Sequence, residues 1–149
     1  MKYILFLFVS ISNLFASIGD SELQINQRYG TSNETMKTES NREIWKAYKW
    51  SGLIIYVAYL DGVSQMENYK RIDGRPISRI DILSILELNT GKFNWQADPE
   101  RQLPSKRWFQ YNDSGKELAI ALYDPSSSNT PMSVMTSAYR DFRNEARKK

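Results

Sequence analysis

The chain of 149 residues has no histidine and no cysteine, and these two absences exclude a wide range of chemistry. Without imidazole or thiolate there is no ordinary zinc site, no Ser-His or Cys-His nucleophile and no thiol redox cycle. Disulfides and lipid attachment at a cysteine are excluded with them. Also missing are Ser-x-x-Lys, Gly-x-x-x-x-Gly-Lys and Gly-x-Gly-x-x-Gly, the spacings of lysine-activated serines and phosphate cradles. No run alternates Asp and Asn at the spacing of a calcium loop. Asp61, Asp73 and Asp113 fall in turn sequences, and Glu67 and Glu87 have no recognisable carboxylate partner. The expectation is therefore a protein that is not an enzyme and holds no metal and no cofactor.

Long apolar runs are equally scarce. One opens the chain: Met1-Lys2, then Tyr3 to Val9, with Ser10, Ser12 and Asn13 interrupting before Phe15-Ala16-Ser17. A single positive charge, an apolar stretch and a small residue are the three parts of a secretory signal. The stretch falls short of the roughly 20 apolar residues a spanning helix needs. Residues 1–16 are thus expected to be a signal peptide, cut after Ala16, leaving a periplasmic or extracellular protein with no integral membrane segment. The remaining 17–149 suffice for one domain. With no disulfide available, its core must come from packing, for which 3 Phe, 8 Tyr and 4 Trp are at hand once Tyr3, Phe6, Phe8 and Phe15 are set aside. The net charge of +3 is too small for a nucleic-acid partner to be expected, and the basic tail at about 143–149 is expected to be solvated.

The organising stretch is Leu53 to Leu60, eight apolar or β-favouring residues bounded by Ser51-Gly52 and Asp61-Gly62. It predicts a central strand between two tight hairpins. Glu43–Trp50 and Val63–Lys70 are the predicted neighbours, the second nearer an edge because neither of its faces is apolar. Before them Ser21 to Tyr29 predicts a helix closed by Gly30, and Thr31–Arg42 a polar loop. Ser78-Arg-Ile-Asp81 is a capping box opening a second helix, whose Ile80, Ile82, Leu83, Ile85 and Leu86 form one broad stripe toward the sheet. Ala97–Ser105 predicts a loop or short edge strand. Lys106–Tyr111 and Lys116–Tyr123 predict a hairpin, and the alternation of Met132–Phe142 a closing strand. The fold class is α+β: an antiparallel sheet of about six strands with two short helices, compatible with tandem helix-plus-three-strand repeats.

Arg28-Tyr29-Gly30, Leu60-Asp61-Gly62, the run Tyr69 to Gly74 with the Ser78 helix after it, and Trp108 through Ala119 to Tyr123 resemble small exported bacterial proteins of uncharacterised function. A helix ending in Tyr-Gly before an antiparallel sheet is also similar to the module of the outer-membrane assembly lipoproteins SmpA or BamE, and to the tandem modules of secreted β-lactamase-inhibitor proteins. The chain departs from the first in lacking the lipidated cysteine and from the second in lacking disulfides. The resemblance implies a fold more than an activity.

Trp95, Arg107, Trp108 and Tyr111 mix rings and a cation in a short span and are the candidate ligand-binding residues. Two functions stay open. One is a module binding another envelope or secreted protein through exposed sheet surface. The alternative is a module for a carbohydrate or cell-wall polymer, stacked on Trp95 and Trp108.

Overall fold

Ser51-Gly52 and Asp61-Gly62 fold the middle of the chain back on itself twice. All four residues have positive φ, 48° and 80° in the first pair and 53° and 84° in the second. That geometry matches the right-handed twist of the strands it joins. The structure, a computed structural model, describes residues 18–37, 42–100, 105–126 and 130–148; the segment 1–16, expected to be a signal peptide, lies outside them. The two turns connect β2 (Glu43–Trp50), β3 (Leu53–Leu60) and β4 (Val63–Arg71), in register with Tyr48 opposite Ile55 and Ile55 opposite Tyr69.

Five more strands complete one antiparallel sheet of eight: β1 (Glu34–Lys37), β5 (Gln96–Ala97), β6 (Lys106–Tyr111), β7 (Glu117–Tyr123) and β8 (Met132–Thr136). Their spatial order is β1-β2-β3-β4-β8-β7-β6-β5. Three helices accompany them, α1 (Glu22–Tyr29), α2 (Arg79–Leu88) and α3 (Ser137–Ala146). The class is α+β, with eight strands and three helices among the described residues rather than about six and two. Each half is a helix followed by four strands, and the halves meet where β4 pairs with β8. No helix among the described residues is long and apolar enough to cross a membrane.

Four local expectations change. β1 forms inside the stretch expected to be a loop, although all four of its side chains are exposed. It exists because the open edge of β2 supplies backbone partners, with Glu34 opposite Ala47 and Lys37 opposite Ile44. The strand expected near an edge, β4, lies in the middle between β3 and β8. Its polar residues are tolerated there because they find partners: Ser64 and Glu67 are fully buried, and Glu67 accepts hydrogen bonds from Tyr29 and Tyr69. The last strand stops at Thr136, whose hydroxyl accepts from the Tyr139 amide at 3.1 Å and caps α3. The chain from Ser137 to Ala146 is thus helix, including part of the expected tail, and β8 is central rather than closing. On α2 only Ile82, Ile85 and Leu86 are buried, whereas Ile80 is 76% and Leu83 57% exposed. A ten-residue helix resting on a sheet buries one narrow stripe, and these two lie outside it.

The register divides the side chains between two faces. On one face lie Tyr48, Leu53, Ile55, Val57, Tyr59, Tyr69, Met132, Val134, Ala121 and Tyr123, packed against Ile25 and Tyr29 of α1 and Ile82, Ile85 and Leu86 of α2. This is the core. Its hydroxyls are paired within it: Tyr48 with Tyr59 at 2.8 Å, Tyr29 with Tyr69 at 3.3 Å, and Tyr123 donating to the Ile77 carbonyl. Asn89, which ends α2, donates to Tyr69 at 2.9 Å while its carbonyl accepts from Gln110 of β6. These bonds tie α2 to both halves of the sheet.

Candidate functional site: the face opposite the core

Across the other face the register lays two rows of side chains. One runs Trp45, Ala58, Met66, Met135, Ile120, Phe109, and the next Ala47, Tyr56, Asn68, Ser133, Leu122, Arg107. Trp45, Met66 and Met135 of the first row lie beside α3. Tyr56, Asn68, Ser133, Leu122 and Arg107 of the second all keep part of their surface in solvent.

α3 is fastened at two points. Glu43, 3% exposed at the start of β2, accepts from the Tyr139 hydroxyl, from Arg143 at 3.1 Å and from the Trp45 indole at 3.1 Å. At the start of β7, Glu117 accepts from Ser137 at 2.6 Å and pairs with Arg140. The helix therefore bridges β2 and β7. Burial, reinforced by the neighbouring Glu43 carboxylate, pushes the Tyr139 phenol above its ordinary value, so it remains a proton donor to Glu43. Burial works against the charge of Arg140, but its bond to Asp141 and the charge of Glu117 outweigh it and raise its pKa.

Between α3 and the sheet lies a groove of about 430 Å³, whose floor and walls include Trp45, Met66, Leu122 and Met135 and whose helix side carries Arg140, Arg143 and Arg147. Asn68 also lines it, its carbonyl oxygen already accepting from Ser133 at 2.7 Å. The amide nitrogen of Asn68 is a donor with no partner among the described residues. An apolar floor edged by guanidinium groups can hold an amphipathic group bearing negative charge.

The four candidate residues do not form one site, because successive residues of a strand point to opposite faces. Arg107 faces the open side, 5.1 Å above the Phe109 ring and hydrogen-bonded to Asp98 at 2.6 Å. Tyr111 stands on the same side, its ring 5.9 Å from Phe109. Trp108 points the other way and packs on the core, as does Trp95. Trp95 is fixed there by a 2.9 Å bond from its indole to the Leu86 carbonyl. Both tryptophans are half-buried.

The groove residues escape sequence reasoning. Tyr139, Phe142, Arg143 and Ala146 recur at helical spacing after Thr136, and that signal marks α3. Alternation continuing from Met132 through Tyr139 masks it. Trp45, Met66, Leu122 and Met135 come from four separate strands and carry no local signal at all.

The buried cluster around Glu67 is the other concentration of ionisable groups. Burial and the Glu67 carboxylate hold the Tyr69 phenol well above its ordinary range. Both residues have no exposed surface, so no substrate atom reaches them. Among the described residues, no three carboxylates gather where they could hold a metal ion. Comparison with known families, curated proteins and solved structures finds no match for this chain.

Proposed function

We propose that this protein is an exported, non-enzymatic module that holds another envelope or secreted protein against the open face of its sheet. The observation that carries this is the asymmetry of cover. α1 and α2 bury one face, whereas α3 covers only part of the other, where Tyr56, Asn68, Ser133, Leu122 and Arg107 keep part of their surface in solvent. A row mixing a phenol, an amide, a hydroxyl, an aliphatic group and a guanidinium suits a polypeptide surface, which offers apolar and hydrogen-bonding groups together. The apolar leader and the lack of histidine and cysteine agree with an exported protein that does no covalent chemistry. On this reading the module is built like those of the assembly lipoproteins and of the secreted inhibitors, with a helix ending at Tyr29-Gly30 before an antiparallel sheet. Trp95 and Trp108 pack on the core instead of forming an exposed platform, which weighs against a polymer stacked on them.

Site-specific photo-crosslinking tests this. A benzophenone side chain placed at Tyr56 should yield a discrete protein adduct in the envelope fraction, and one placed at Leu83 on the outer side of α2 should not. Equal labelling from both positions, or none from Tyr56, would overturn the assignment.

A further inference from the structure

The groove beneath α3 gives the open face a chemical preference. We propose that it takes a short peptide segment of the partner in which an apolar side chain lies beside a carboxylate. The apolar group rests on Trp45, Met66, Leu122 and Met135, and the carboxylate lies against Arg143 and Arg147. This rests on the protein-binding role proposed above and adds the kind of segment recognised.

The floor comes first. Met66 and Met135 are cross-strand partners, and two flexible thioethers side by side adapt to whichever apolar group arrives. Trp45 is held by its indole bond to Glu43, which leaves a fixed ring wall. A groove of about 430 Å³ admits one or two side chains, in keeping with an anchor and its neighbour.

The rim supplies the charge preference. Arg140 is committed on both sides, to Glu117 and to Asp141. Arg143 bonds Glu43 through one terminal nitrogen only, and its remaining N–H groups are available. Arg147, four residues on and thus on the same side of the helix, has no ion pair among the described residues. The helix dipole accounts for cations in a last turn. It does not account for two of them lining an apolar groove, where like charges one turn apart repel each other. An anion between them removes that repulsion and accepts a charge-assisted, two-pronged hydrogen bond.

The groove opens at Asn68 and Leu122 onto the row holding Tyr56, Ser133 and Arg107. A chain anchored beneath α3 has a path onward across the sheet, and the Asn68 amide is positioned to donate to a backbone carbonyl. That continuity favours a polypeptide over a short fatty acid.

Selection of random dodecapeptides on the folded, exported chain tests the proposal. The selected peptides should carry a large apolar residue within two positions of Asp or Glu. Fluorescence anisotropy with the strongest of them should show at least tenfold weaker binding to Arg147→Glu, whose fold should be unchanged by circular dichroism because Arg147 is exposed. Met135→Lys should abolish binding, and decanoate should not compete. Selected peptides without an acidic residue, or indifference to Arg147→Glu, would overturn the carboxylate assignment, and displacement by decanoate would overturn the peptide. If crosslinking from Tyr56 succeeds but the selected peptide leaves it undiminished, the module stands and the groove proposal fails. If Tyr56 captures nothing, both fail.

Discussion

Ile54 and Ile55 are adjacent, chemically identical and on the same central strand, yet they face opposite sides of the sheet. Ile55 has no exposed surface and sits between Tyr48 and Tyr69, whereas Ile54 is half-buried between Lys49 and Lys70. Ile55→Ala removes three carbons from the core at ~0.8 kcal/mol each, or about 2.4 kcal/mol of lost burial. The cavity adds ~24 cal/mol for each Å³ that fails to collapse, which brings the expected cost to about 3–4 kcal/mol. Ile54→Ala opens no enclosed cavity and gives up only partial burial, so about 1 kcal/mol is expected. Both substitutions lose the same strand preference, which cancels in the comparison. Urea titration followed by circular dichroism measures the difference. With a slope of ~1–3 kcal/mol per molar urea, the midpoint for Ile55→Ala should fall by about 1–4 M. Equal costs at the two positions would mean that the face bearing Ile54 is buried too, and the open face described above would not exist.

Removing the hydroxyl that reaches Glu43, in Tyr139→Phe, should destabilise the fold by about 1–2 kcal/mol, and hydrogen exchange should quicken in α3 before the rest. Acid should weaken the fold through Asp73, Asp81 and Asp61. Asp73 is held down to about 2, chiefly by Arg71 and then by the Arg75 amide. Asp61 is lowered by Arg42; burial works to raise Asp81, but Ser78 and Arg71 outweigh it. Carboxyl groups with depressed folded values lend stability that is full above their unfolded value near 4 and lost as pH falls through the folded one. Thermal melts should therefore drop between pH 4 and 2, and Asp73→Asn should flatten that drop. N-terminal sequencing of the exported protein should begin at Ser17; an uncut chain held in the inner membrane would refute the proposed export route.

Features set by neighbours in the chain were legible in the sequence. The positive-φ pairs Ser51-Gly52 and Asp61-Gly62 form two-residue hairpin turns, so the strands around Leu53–Leu60 follow from local geometry. Ser78 and Asp81 cap α2 reciprocally, with bonds of 3.2 and 2.9 Å, across only three residues. Long-range contacts decided the rest. β8 is drawn between β4 and β7 by pairings such as Ser133 with Asn68, 65 residues apart, and no local pattern encodes that choice. Glu67 makes β4 look like an edge until Tyr29 arrives from α1 to join its strand neighbour Tyr69 in solvating it. Thr136 is a strand residue by alternation and a helix cap once Tyr139 finds Glu43 on β2, across 96 residues. The groove is wholly of this second kind: its floor comes from four strands and its rim from a helix, brought together only when the two halves of the sheet join.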